Sequence, residues 1–386
     1  MLSQYISNTS VNRLLIVASL HMLGWSLAGG FFIAFLLAHG FSAPEVMLSF
    51  AGMLGLRFVL RPIIFLIAPK TGLRGLMLVG SVFFIVQYLA LAHVNGVNAA
   101  FIGFIFAQAV TDVFYWCGYH AAFSTIGDTK HRGKQVSIRE LLSKTGAIIA
   151  PLLGGFMFEH VGSTAVFALG ATLECLSLVA LMRVPPLPIA VKSPPNAFRA
   201  GKTAGLLFLT DSWINACYNT VWTILLFTSA RQSFMAYGGA LTLTGIVSAV
   251  GGLLLGRLID KGHGHDAVTL NGLLLAGAIL LCATAPSTFG PMLLITAISA
   301  LTGASYSTTL MTAVYNSVGH APCPLRCMFV AEGCWDISGI VAALICAALL
   351  HAPIAPGWPI ALALLGTIAQ SLLLRKFYLQ QENSQS

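Results

Sequence analysis

Charge is scarce in this chain. Only 8% of its 386 residues are charged, where a soluble domain carries about 25%. Acids are scarcer still, 12 against 20 Lys and Arg. With 57% apolar residues, a soluble fold of this length would lack the polar groups to cover its surface. No Gly-rich phosphate loop or nucleophile–base pair stands at useful spacing, which argues against an enzyme. Cys323 and Cys327 bracket a short turn, but His320 is the only further candidate ligand, short of the four a closed metal site needs. Six of the eight cysteines, Cys117, Cys175, Cys217, Cys282, Cys334 and Cys346, fall inside apolar segments, where thiols serve as small packing groups. No cofactor, no metal and no disulfide framework is expected. Basic residues are spread over many loops and form no nucleic-acid patch.

Long apolar runs are what the chain has in plenty. About 20 apolar residues span a bilayer core of about 30 Å. Twelve segments qualify: 13–38, 44–68, 75–95, 98–122, 136–158, 163–182, 203–229, 236–259, 267–287, 290–316, 327–350 and 357–374. They are numbered spans 1–12. The fold class is an all-α polytopic membrane protein. Span 1 is too long for a cleaved signal peptide, and no small-residue cleavage site follows it. Spans 1, 4, 7 and 10 are long enough to tilt or to hold interfacial turns.

Loop charge predicts the orientation. One side collects Lys70, Arg74, Lys130, Arg132, Lys134, Arg183, Lys192, Arg199, Lys202, Lys261, Arg326, Arg375 and Lys376, while the opposite loops offer little beyond Arg231. Both termini are therefore expected in the cytoplasm. Compact loops without extra domains suggest a bacterial inner membrane, with lipid as the surrounding partner.

The only long polar connector is 184–202, rich in proline. It divides the spans six and six, as 1–183 and 203–386. The two halves align at a constant offset of 192 residues: Ile67 falls on Ile259, Gly72 on Gly264, Glu140 on Glu332 and Lys144 on Asp336. Parallel six-span repeats of this kind are one transporter design.

The stretch Gly256-Arg257-Leu258-Ile259-Asp260-Lys261-Gly262-His263, between spans 8 and 9 and closed by Gly264, resembles the loop signature of the major facilitator superfamily. A first copy near Ile67–Arg74 has Ala68 where the signature has Asp, so a latch through that acid is not expected in the first half. Span 5, with Gly146, Pro151, Gly154 and Gly155, is similar to the Gly- and Pro-rich fifth helix of that superfamily. The resemblance implies two pseudo-symmetric six-helix bundles working as a monomer by alternating access. It also implies a central path lined by spans 1, 2, 4, 5, 7, 8, 10 and 11, with span 2 facing span 11.

Charges inside a bilayer are costly and are usually kept for function. Here they are Arg57 and Arg61 (span 2), Asp112 (span 4), Glu140 and Lys144 (span 5), Glu174 (span 6), Asp211 (span 7), and Glu332 and Asp336 (span 11). At 1.5 Å per residue, Arg57 and Asp112 lie about 20 Å from one side, Lys144 and Asp336 about 12–14 Å from the other, so all sit near the midplane. Glu140 and Glu332 are shallower, at a level from which water can be reached. Arg57 and Arg61 share a helix face, with no acid one turn away on their own helix. They need an external partner. Glu174 is off the path and is given no role.

Two uses follow. Arg57 or Arg61, with Lys144, binds an anionic substrate group while Asp112, Asp211 or Asp336 carries a coupling proton. Alternatively, Arg57 or Arg61 pairs with Asp336 or Glu332 as a gate, with Glu140 in a related role. Trp116 in span 4, and Asn215, Tyr218, Asn219 and Trp222 in span 7, lie at helical spacing with these acids and are candidates to line the substrate site. Tyr306 and Tyr315 mark span 10. His120 is expected near the cytoplasmic interface. The leading expectation is a proton-coupled transporter of a small or medium polar solute with an anionic or zwitterionic group, driven by the proton gradient. A proton antiporter exporting amphipathic cations is the alternative, and a receptor or scaffold without a transport cycle is a third.

Overall fold

The computed structural model describes residues 9–126, 146, 148–189, 192, 194–259 and 264–385, without the side chains of 252–259, 264–267, 303–305 and 381–385. Within these residues the chain folds into antiparallel helices, and twelve membrane spans are accounted for. Eight helical runs are each long and apolar enough to cross a bilayer, one of which, 43–91, holds spans 2 and 3. Two shorter apolar helices, Ile148–His160 and Val268–Ala283, belong to spans 5 and 9. Span 7 completes the set as Lys202–Ile214, Asn215–Thr220 and Val221–Ser229. Large apolar side chains such as Val59, Leu66 and Ile149, each 71% exposed, point outward, as lipid-facing positions do.

The excess length of three long spans is spent on irregular turns. Span 1 breaks between Thr9–Leu27 and Phe32–Ala38 through a 3-10 turn, Gly29–Phe31. Span 4 widens into a π turn over Asp112–Trp116, and span 7 does the same over Asn215–Thr220. Such bulges cluster at functional sites. In span 2, Pro62 has no N–H to continue the ladder, and the helix tightens into a 3-10 turn over Arg61–Ile63. Ser42 and Glu45 form a capping box that starts span 2, and Asn98 accepts from Phe101 N–H to start span 4.

Spans 2 and 3 are separated by Gly72 alone, at φ +69°. Only glycine takes this left-handed turn readily, and a Cβ there would lie 2.6 Å from the Leu187 carbonyl oxygen. The connector docks at this point. Leu73 N–H donates to Leu187 O at 2.9 Å, and Arg74 donates to Val184 O at 2.9 Å. Phe198, further along it, packs against Phe65 of span 2 and Phe329 of span 11.

The two halves touch at several levels. On the side bearing both termini, the Phe65 ring meets Phe329 at 4.9 Å and Phe123 meets Tyr315 at 4.9 Å. On the far side, Phe158 stacks on Phe234 at 4.6 Å and Phe31 meets Tyr237 at 5.5 Å. Spans 5 and 8 approach backbone to backbone: a Cβ on Gly155 would lie 2.4 Å from Phe234 O, and one on Gly238 2.3 Å from Pro151 O. Glu159 closes the far side by accepting from Ser233 Oγ at 2.6 Å and Met235 N–H at 2.9 Å.

Candidate functional site

Spans 2 and 11 each present two charges four residues apart, and the helices face each other with those pairs in register. Arg57 Nη2 donates to Glu332 Oε2 at 2.8 Å, and Arg57 Nε lies 2.5 Å from Asp336 Oδ1. Arg61 binds Asp336 Oδ2 through Nη2 and, at 3.1 Å, through Nε. Span 4 adds Asp112, whose Oδ2 is 3.4 Å from Arg57 Nη1, and Cys117, whose sulfur accepts from Arg61 Nη1 at 3.2 Å. Arg61 and Asp336 are 1% and 0% exposed. The arginines thus find across the halves the acids missing from their own helix. Removing one member of such a pair leaves a buried charge without its partner, at a cost of about 3–5 kcal/mol.

Glu332 departs from its expected place. Helix depth put it near water, but it is 3% exposed. The Phe65–Phe329 contact and the connector cover that level of span 11, which counting residues along one helix does not reveal. His120 departs in the same way. It is buried, its Nδ1 lies 2.7 Å from the Tyr315 hydroxyl, its Nε2 lies 3.7 Å from Glu332 Oε1, and its ring stacks on Trp116 at 5.3 Å. His120 therefore joins span 4 of the first half to spans 10 and 11 of the second.

Asp211 stands apart from this ladder. It receives the Trp335 indole N–H at 3.1 Å and lies 3.1 Å from the Tyr306 hydroxyl. Trp335 also lies under Arg57, with the guanidinium carbon 4.8 Å from the ring centroid. In span 7, Tyr218 is half-buried near Cys282, Asn215 is half-buried and Asn219 is exposed. Trp222 is buried in the core and donates to Thr296 Oγ1 at 3.0 Å, a packing contact with span 10 in this conformation. Glu140 and Lys144 lie outside the described residues, as do Asp260 and Lys261 of the loop motif. Gly256 and Arg257 end the span 8 helix, and Gly264 opens span 9.

Glu174, given no role from sequence, lies 2.6 Å from His21 Nδ1 of span 1, both buried within the first half. Phe84 and Tyr115 pack on the His21 ring. Trp335 and Gln370 were also missed. Trp335 hides beside Asp336, and Gln370 is the one amide side chain in span 12. An isolated amide in an apolar span is the one sequence signal that points to it. Among the described residues no group of three or more His, Cys, Asp or Glu could hold a metal ion.

The family model of the Major Facilitator Superfamily matches residues 14–343. The chain belongs to the Major Facilitator Superfamily. A search of curated proteins gives no significant match. Among solved structures, this superfamily member is similar to the human organic anion transporter MFSD10 (TETRAN), with a TM-score of 0.70 at 14% identity, covering 95% of this chain and 99% of that one. It is also similar to a single-substitution variant of the Escherichia coli fucose:proton symporter FucP, with a TM-score of 0.69 at 12% identity, covering 95% and 98%. FucP in the outward conformation gives a TM-score of 0.62 at 14% identity, covering 94% and 98%. At these identities the likeness establishes the shared fold.

Proposed function

We propose that this superfamily member is a proton-coupled secondary transporter whose gate is the ladder Arg57/Arg61–Glu332/Asp336. The observation that carries the reading is that all four charges are buried and bound across the two halves. A contact made in one state and broken in the other is the bistable element that alternating access requires. The substrate is a small or medium polar solute with an anionic or zwitterionic group. Such a group replaces a carboxylate on Arg57 or Arg61, and so binding loosens the ladder. MFSD10 and FucP, similar in fold, are described as an organic anion transporter and a proton symporter, which agrees with this reading. The protein works as a monomer in the cell membrane, with both termini in the cytoplasm.

A second reading, proton antiport of amphipathic cations, is favoured by one observation: the cluster holds three carboxyls, Asp112, Glu332 and Asp336, against two guanidiniums. A ligand-stabilisation screen separates the two, because a ligand that binds the native state raises its apparent stability. Anionic or zwitterionic hits lost in Arg57→Ala support the first reading. Hits confined to lipophilic cations and lost in Asp112→Asn or Asp336→Asn support the second.

A further inference from the structure

Asp211 is held by side chains from three other helices: Tyr306 of span 10, Trp335 of span 11 and, through Tyr306, Gln370 of span 12. The Tyr306 hydroxyl contacts both Asp211 Oδ1 and Gln370 Oε1. The Gln370 amide nitrogen points at Leu207 O, 3.4 Å away, which turns Oε1 toward the tyrosine. A tyrosine hydroxyl has one proton to give. Given to Gln370, it leaves the Tyr306 oxygen as an acceptor, and the donor facing that oxygen is then the Asp211 carboxyl. A proton on Asp211 Oδ1 therefore satisfies both contacts of the Tyr306 hydroxyl at once, with Oδ2 accepting from Trp335.

The surrounding charges agree. Asp112, Glu332 and Asp336 each lie within 3.4 Å of a guanidinium. No salt bridge to Asp211 occurs among the described residues. Of the titratable groups on the helices packed against it, Tyr306 on span 10 bonds it directly, Cys334, Glu332 and Asp336 on span 11 are closest to Trp335, the last two held by arginines, and the others, such as Tyr315, Arg326, Arg375 and Lys376, stand more than one helical turn from the contacting residues. The described cation in this network is Arg57, over the face of the Trp335 ring whose edge donates to Asp211. Asp211 is half-buried and its described donors, Tyr306 and Trp335, are neutral, so loss of its proton creates a local charge with no described cation beside it.

We infer that Asp211 is the coupling-proton site of this transporter and that Trp335 transmits its protonation state to the arginine ladder. The inference rests on the gated-transport reading above and names the residue that carries the ion. With the proton on Asp211, Trp335 is hydrogen-bonded on its edge and covered by Arg57 on its face, and the ladder is closed. When the proton leaves to solvent, the carboxylate draws the Tyr306 hydroxyl proton away from Gln370. It also attracts Arg57 across the indole, in competition with Glu332 and Asp336, and the ladder loosens.

The test uses the purified full-length protein with the proton as the only ligand. Infrared difference spectra between pH steps should show one protonated-carboxyl band that titrates. It should be absent in Asp211→Asn and retained, shifted, in Asp211→Glu. Asp112→Asn and Glu332→Gln should keep it. A band that survives Asp211→Asn overturns the site, and this readout does not depend on whether the protein transports anything. For the coupling, thiol labelling at Phe329→Cys, with native cysteines replaced, should rise several-fold as pH increases. Asp211→Asn should stay at the low level throughout. Trp335→Phe should keep the infrared band and lose the labelling response. Labelling that does not respond to pH in the Phe329→Cys parent, or that still responds in Trp335→Phe, overturns the coupling. A correct infrared result with no transport of any solute would leave the proton site standing and remove the transport reading.

Discussion

Arg61 and Asp336, 275 residues apart in sequence, bind each other through two guanidinium nitrogens at the plane where the two six-helix bundles meet. The pair is almost completely buried and stands one helical turn from its counterpart, Arg57 with Glu332. A pair so placed is a specificity device more than a source of stability, because desolvation offsets most of its attraction.

Charge reversal tests that relationship. Arg61→Asp or Asp336→Arg alone should lower stability by about 3–5 kcal/mol and shift the protein away from the closed state. The double reversal should recover part of the loss. Thermal unfolding in detergent measures both, and absence of rescue would count against the pair as a gate.

Closure on the far side depends on two glycines without side chains. Gly155→Val or Gly238→Val places a Cβ within about 2.4 Å of a carbonyl oxygen of the opposite half. Either substitution should hold the far side open, so that a cysteine at Tyr237 labels faster while one at Phe329 does not.

The first half has a buried contact, His21 with Glu174, that lies apart from the ladder. Glu174→Ala leaves His21 in the core without its partner and should cost about 1–3 kcal/mol of stability. Ligand-binding affinity should be unchanged once the variant is folded. A loss of affinity without a loss of stability would place the pair in the transport pathway.

The aromatic contact on the terminal side should be reversible. A cysteine pair at Phe65 and Phe329, joined by a short thiol cross-linker, should stop uptake into proteoliposomes. Cleaving the linker should restore it. Uptake that continues while cross-linked would mean the two helices need not separate there.

Much of this architecture was legible in the chain. Span lengths gave the twelve crossings; of the four long spans, 1, 4 and 7 carry a 3-10 break or a π bulge within the span rather than at an interface, and span 10 runs as one helix, Phe289–Gly319. The two arginines advertised a missing partner because neither had an acid one turn away. Depth counting failed at Glu332 and His120. It measures distance along one helix, while burial is set by neighbours that arrive from far away in sequence, here the connector, Phe65 and Tyr315. Trp335 was illegible for a related reason. A tryptophan in an apolar span looks like packing until the structure shows its edge on Asp211 and its face under Arg57.

The connector is moored unequally. Its early part is hydrogen-bonded by backbone and arginine donors to the first half, whereas Phe198 meets the second half through ring contacts that carry no directional bond. The first half and the connector therefore behave as the stator of the machine. In the proposed cycle the second half is the rotor, turning along an aromatic bearing once the ladder opens, without unfastening the connector that joins them.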